Sequence, residues 1–268
     1  MVYADWSTLS VLAVQVFVLG TTLELVPILG AFLLLDVLLG RWVAWRCQPE
    51  VQRIQLRTIG HELVFSVLTM AAAMLVQELV HRLEAAGLVA LVDSAEDWPG
   101  RARVAVDAAY MLLGFDVWFY VVHRTMHVVP LLYRTVHKAH HRSTAPTALT
   151  SAAFSPLETF LMSMGLLLLL VLRGTISSQA VALSGLVGAI YNMVVHLGIE
   201  VFPRWWHSNP VTAQAVCTTF HDVHHAKFTC NYGLYLTTWD RLFGTISPAF
   251  DRRYHERWMG SGKEKADR

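Results

Sequence analysis

The sequence predicts an all-α integral membrane protein: about four to six transmembrane helices carrying a cytosolic, helical, histidine-rich cap that holds two metal ions. Three observations predict it. Of 268 residues, 54% are hydrophobic and only 15% charged, against about 25% charged in a typical soluble domain, and mean hydropathy is +0.43. The apolar residues gather in five runs on the scale of a bilayer crossing, about 20 residues each. Eight of the 13 histidines gather too, in three short clusters that follow the third and fifth runs.

The first run, about Leu9 to Leu39, is too long for one upright helix and is interrupted by Glu24 and Pro27. It reads as one tilted, kinked helix or as a tight hairpin. No Lys or Arg precedes it and Asp5 stands where a signal peptide would be positive, so it is not read as one. The other runs are about Ile59–Val80, Val104–Val122, Ala152–Leu172 and Gln179–Val201. With alternating crossings, 17 of the 21 Lys and Arg fall on the side that carries the histidines. That side is expected to be cytoplasmic. The whole chain, 1–268, reads as one membrane domain: spans over 1–100, a histidine-box core over 101–250 and a polar tail over 251–268. A net charge of +1 points to no nucleic-acid partner. Three cysteines far apart (Cys47, Cys217, Cys230) make neither a disulfide framework nor a metal clip.

The clusters carry the chemistry. His123-Arg-Thr-Met-His127 is H-x-x-x-H; His137-Lys-Ala-His140-His141 and His221-Asp-Val-His224-His225 are both H-x-x-H-H. Residues three and four apart share a helix face, so each box aims its imidazoles one way. Imidazole is a neutral ligand that suits iron, zinc, copper or nickel. With this histidine content one random H-x-x-H-H is expected about 0.03 times, so two are not chance. Eight imidazoles are too many for one tetrahedral ion and fit two ions. A ninth candidate, His196, sits near the end of the fifth run; polar groups at membrane depth usually face an interior site. His207 is a weaker candidate, and His61, His81 and His255 read as surface residues. Asp116, Asn192, Glu200, Asp222 and Asp240 are candidates for outer partners that orient the ligating imidazoles. Met70, Met74, Met111, Phe115, Met162 and Met164 are read first as helix packing.

At these residues the sequence resembles the fatty acid hydroxylase/sterol desaturase superfamily of membrane di-iron oxygenases. The likeness runs over about residues 110–246. It takes in Asp116 to His127, His137 to His141, Phe154-Ser-Pro-Leu-Glu158, Asn192 to Glu200, His221 to His225 and Asn231 to Thr245. It implies hydroxylation or desaturation of an unactivated C–H bond of a lipid: a sterol, fatty acyl chain, carotenoid or related molecule. It further implies two Fe ions (zinc replacing them on purification), O2 as co-substrate, and the eight boxed histidines plus His196 as ligands. Some relatives carry a second histidine one turn before His196; here that residue is Asn192. No cytochrome b5 domain is expected in residues 1–100, so electrons come from a separate donor, cytochrome b5 or a ferredoxin with its reductase. The chemistry is consistent with this, because an alkyl C–H bond offers nothing to acid–base catalysis and needs a redox group.

Two rivals are weaker. A zinc hydrolase would want H-E-x-x-H; His61-Glu62 begins one, but Phe65 stands at the second histidine, and no G-x-S-x-G elbow occurs. A metal transporter or metal-binding membrane protein would place ligands along the middle of its spans, whereas eight of these nine lie outside the predicted runs. The 17 Arg against 4 Lys favour a bacterial inner membrane, with the endoplasmic reticulum as the alternative.

Overall fold

The computed structural model describes residues 26–38, 56–93 and 98–254. The first predicted run is therefore seen only over 26–38, helical and ending in a π-helical stretch, Phe32–Leu38. Whether it crosses once or twice lies outside the described residues, as do His255 and the rest of the polar tail; residues 251–254 of that tail are helical, with Tyr254 buried.

Four long helices follow: α1 (Leu56–Ala85), α2 (Trp98–Val128), α3 (Pro156–Arg173) and α4 (Ser178–His196). All four have the length and apolar composition to cross a membrane. Large side chains such as Val64, Leu75, Leu113, Leu172, Leu186 and Ile190 are exposed along them, which suits lipid as the surrounding solvent. Their ends are set locally. Ser155 accepts the Glu158 N–H and Pro156 takes the first helical position of α3, a pairing that needs no further donor. Ser177 caps α4 in the same way, accepting the Ala180 N–H. Gly174, at φ 69, closes α3 where a Cβ would be strained.

The helices differ from the predicted runs in an instructive way. Helix α2 continues past Val122 to Val128, because Arg124, Thr125 and His127 are tolerated in a helix. It stops where Val129 is extended ahead of Pro130. Helix α3 begins at Pro156, not Ala152, since Ala148–Ala152 forms its own 3-10 turn, which the Thr147 N–H caps by donating to Thr150 Oγ1 (3.0 Å). Helix α4 ends at His196, before Gly198 at φ 65. As a result His123, His127 and His196 lie in the last turns of spans.

Helix α2 is central, packing against α3 and α4, while α1 packs against α3. Gly165 makes the α2–α3 contact possible: a Cβ there would meet the Trp118 indole at 2.3 Å. At the end away from the histidines, β1 (Ala90–Val92) pairs in parallel with β2 (Thr175–Ser177). There the buried Asp107 carboxylate accepts from Arg173 Nη2 (2.8 Å) and the Ser177 N–H (2.8 Å). At the histidine end the 3-10 turn Ala148–Ala152 wedges between α1 and α4. Helix α5 (Thr218–Lys227) packs on α4, and the short α6 (Thr238–Leu242) closes the cap.

Candidate metal centre

Four pieces of chain deliver the imidazoles. The last two turns of α2 carry His123 and His127; the π-helical and 3-10 turns over 133–142 carry His137, His140 and His141. The end of α4 carries His196, and α5 carries His221, His224 and His225. They meet in two groups. His123, His127, His137, His141 and His224 form one; His140, His196, His221 and His225 form the other. Within each group the ligand nitrogens all lie within 4.8 Å of one another. Every ring but His127, which is half-buried, is at most 3% exposed. The second box is split: His137 and His141, one helical turn apart, serve the first group, and His140 between them serves the other.

The Nε2 atoms converge. In the five-histidine group His137 Nε2 lies 3.1 Å from that of His123, 2.9 Å from that of His127 and 2.9 Å from that of His141. His224 Nε2 is 3.1 Å from that of His141. In the four-histidine group the neighbouring Nε2 pairs are His196–His140 at 3.3 Å, His221–His196 at 2.9 Å and His225–His221 at 3.2 Å.

The Nδ1 atoms point outward. Those of His123, His224 and His225 donate to the carbonyls of Tyr232 (2.8 Å), Cys230 (2.7 Å) and Ser143 (2.9 Å). Those of His196 and His140 donate to the carbonyls of Asn192 (2.7 Å) and Ala153 (3.4 Å). His137 Nδ1 donates to Glu158 Oε1 at 2.6 Å. A carbonyl only accepts, so these rings carry their proton on Nδ1 and present an Nε2 lone pair. Lone pairs facing each other at 2.9–3.3 Å repel unless a cation sits between them. Two nitrogens bound at about 2.1 Å to one ion are about 3.0–3.4 Å apart for right-angle to tetrahedral geometry. The donor set therefore fits two metal ions. Burial, and then the positive charge of neighbouring imidazoles, holds His137 and His141 well below the ordinary histidine range, and does the same for His221. These ligands are neutral at pH 7, as metal binding requires.

The acids flagged from the sequence act one bond further out. Asp116 accepts from the Tyr235 N–H (2.8 Å), the Leu236 N–H (3.3 Å) and Trp239 Nε1 (2.8 Å). Asp240 accepts from the N–H groups of Tyr232 (2.9 Å) and Gly233 (2.7 Å) and from Thr245 Oγ1 (2.6 Å). Together they hold the 231–240 loop, whose Tyr232 carbonyl orients His123. Glu200 accepts the Thr219 N–H (2.8 Å) at the start of α5, setting the helix that carries the third box. Asn192 reaches His196 through its carbonyl, while its amide donates to the Ser151 carbonyl at 2.6 Å. Asp222 Oδ2 points to Arg253 at 3.7 Å. His207 pairs with Asp251 at 2.8 Å, outside both groups, and His61 stacks on Phe65.

Two residues escaped the sequence reading as supports. Glu158 holds His137. Glu62, on α1, accepts from Ser143 Oγ (2.5 Å) and Thr150 Oγ1 (2.6 Å) and so fixes the loop whose Ser143 carbonyl holds His225. Both are acids inside apolar runs, which is itself a pointer to an interior site. The carbonyl partners had no signal, since a backbone acceptor has no residue type.

Fold and site define a class: a helical membrane protein whose spans end in a buried polyhistidine centre able to hold two metal ions. Residues 108–245, about half of the chain, match the family model described as fatty acid hydroxylase. The chain belongs to that family. It is 30% identical to the Delta(7)-sterol 5(6)-desaturase of Leptosphaeria maculans, over 64% of this chain and 45% of that one. To the cholesterol 25-hydroxylase-like protein of Danio rerio it is 35% identical, over 55% and 58% of the two chains. To methylsterol monooxygenase 1 of Danio rerio it is 34% identical, over 52% and 46%. The chain thus spans about half the length of the curated relatives it matches. No solved structure matches it.

Proposed function

We propose that this protein is an O2-dependent di-iron oxidoreductase that hydroxylates or desaturates an unactivated C–H bond of a membrane lipid. The observation that carries the reading is the convergence of nine Nε2 atoms in two groups, with six of the nine rings anchored outward through Nδ1. His123, His127, His137, His141 and His224 would hold one ion, and His140, His196, His221 and His225 the other. A pair of iron ions there would supply activation of O2 for attack on an alkyl C–H bond, which no side chain supplies. One turnover consumes O2, two electrons and two protons. Hydroxylation leaves one oxygen atom in the lipid and one in water; desaturation leaves both in water.

The chain's own residues then have three tasks. The carbonyls and Glu158 hold the Nδ1 protons and so aim the Nε2 lone pairs, while burial keeps the rings neutral. Asp116, Asp240, Glu200 and Glu62 hold the loops and helix ends that supply those anchors. The apolar spans keep the lipid tail beside the centre and water out, so that the substrate need not leave the bilayer. Three relatives are named as sterol enzymes, which makes sterols the first lipids to test; fatty acyl chains and carotenoids follow. Placement of all nine histidines at one end of the spans favours an enzyme over a transporter. The loop charges favour the cytoplasmic side for the cap. The relatives are eukaryotic and favour the endoplasmic reticulum; they lend no support to a bacterial inner membrane.

The test is metal content per chain in detergent-purified protein reconstituted anaerobically with ferrous iron. A His137/His140/His141 to Ala variant is the control. About two irons, lost in the variant, are expected, with gain of an oxygen atom or loss of two hydrogens in a supplied sterol. A single tight zinc and no lipid product would refute the proposal.

A further inference from the structure

We propose that the basic face made by Arg134, Lys138, Arg142 and Lys227 docks an acidic one-electron carrier protein, and that the Tyr133–Phe228 pair beneath it is where electrons enter. This inference rests on the oxidoreductase reading above, which needs two electrons per turnover.

The four cations are exposed, and each is tied to the aromatic pair or to its contact. Arg134 and Lys227 are the chain neighbours of Tyr133 and Phe228. The Lys138 N–H donates to the Tyr133 carbonyl at 2.7 Å. Arg142 follows His141, on whose ring Phe228 sits edge-on at 5.0 Å. No Asp or Glu occurs in residues 129–157 or 223–239, the two stretches that build this face. The ion pairs among the described residues lie elsewhere. A face of one sign steers a partner of the opposite sign.

Beneath the cations the centre is thinly covered. Tyr133 and Phe228 are half-buried, with ring centroids 6.3 Å apart. Tyr133 lies 5.6 Å from the His127 ring and 6.3 Å from the His141 ring. His127 is the one half-buried ring of the nine, so this is the side on which the five-histidine group comes nearest the surface. Phe228 holds its place at a cost. It closes α5 in the left-handed region, at φ 64, where glycine or asparagine is the usual choice and a bulky side chain is an outlier. An aromatic ring kept there between surface and centre points to a use for the ring. Each docking event would oxidise the carrier by one electron and reduce the centre by one. Two events complete the requirement of one turnover.

The experiment uses the full iron-loaded chain in phosphatidylcholine nanodiscs, which carry no net charge. It is titrated with the soluble domain of cytochrome b5 and with a plant-type ferredoxin as acidic probes. At least one probe is expected to bind, with affinity falling steeply as salt rises. The Arg134→Glu/Lys138→Glu/Lys227→Glu variant is expected to weaken binding at least tenfold. Arg101→Glu, at the opposite end of α2, should leave binding unchanged. Phe228→Leu should bind the probe normally and accept its electrons more slowly. Binding of neither probe, or equal binding by the triple variant, would overturn the inference. So would a triple variant that loses affinity only for phosphatidylserine nanodiscs, which would assign the face to lipid headgroups. Wild-type metal content separates the two proposals: a chain without metal refutes the oxidoreductase reading, whatever the probes do.

Discussion

Replacing Glu158 by Gln is expected to loosen one metal of the pair and spare the other. Glu158 Oε1 accepts from His137 Nδ1 at 2.6 Å, and the two side chains are 0% and 2% exposed. Its other oxygen, Oε2, is buried with no hydrogen-bond partner among the described residues. The negative charge thus has one protein contact, His137, and that ring's Nε2 lies within 3.1 Å of three other Nε2 atoms. A carboxylate in this position strengthens the imidazole as a donor, and loss of such a partner typically costs 10–100-fold in metal affinity, or about 1.4–2.7 kcal/mol. Gln keeps an acceptor for the Nδ1 proton and removes only the charge, so about tenfold is expected. Ala leaves a buried N–H unpaired as well, adding about 1–3 kcal/mol. The assay is chelator competition against the iron-loaded protein, resolved into two binding steps. One step should weaken in Glu158→Gln while the other stays put, because the four-histidine group has no contact with Glu158. The metal-free protein should lose no thermal stability, since removing a charge with an unpaired oxygen relieves a desolvation cost. Equal weakening of both steps, or none with a lower metal-free Tm, would refute the reasoning and make Glu158 a packing residue.

Other outcomes follow from the same geometry. His140→Ala should lose one metal and His224→Ala the other, each with helical content kept by circular dichroism; loss of both metals in each variant would mean the groups are not independent. Asp116→Ala strands two backbone N–H groups and an indole N–H, and should cost about 2–4 kcal/mol, read as a lower Tm in detergent. Gly198→Ala puts a Cβ 2.4 Å from the Pro146 carbonyl oxygen at φ 65; it should disturb the four-histidine group first, seen as loss of one metal. Acid should destabilise the metal-free protein. Burial lowers six cap histidines, among them His140, His224 and His225, so below about pH 6.5 the unfolded chain binds protons that the folded chain does not. Stability is then present above that pH and is lost as pH falls, by up to about 1.4 kcal/mol per pH unit for each histidine. A Tm independent of pH between 7.5 and 5.5 would contradict the burial.

The spans were legible because lipid imposes one strong rule, long apolar helices, and the boxes because helical spacing gathers imidazoles without knowledge of the fold. Helix ends were not, since they depend on local events with little hydropathy signal: Pro130 stopping α2, the Thr147–Thr150 cap splitting off a turn, Gly198 ending α4. The sharing-out of the second box was also hidden. In a regular helix His137, His140 and His141 would share one face; the tighter turn at His140–Arg142 turns His140 toward His196. Asp116, Glu200 and Asp240 could be picked from sequence as polar residues near the boxes, but not their partners. They hold the backbone of distant segments, which only the folded chain brings within reach.

Those acids also show how a centre of neutral ligands can be built at the end of a membrane span. Nine imidazoles contribute no charge, so two divalent ions would bring four positive charges into a site almost without solvent, which is costly unless negative charge lies close. Glu62, Asp116, Glu158, Glu200, Asp222 and Asp240 are each at most 1% exposed, and all belong to the histidine end of the molecule. None stands among the Nε2 atoms, where a carboxylate would bind the ion itself. Glu158 sits one bond away on His137 Nδ1, and Glu62, Asp116, Glu200 and Asp240 hold the loops and helix start that carry the anchors and the third box. Without metal these acids are buried groups whose charge is opposed by desolvation; with metal they would serve as counter-ions. Metal binding and the packing of α1, α3 and α5 around the cap are therefore thermodynamically linked. The acids that order the loops are the same ones that make the site electrostatically habitable for metal.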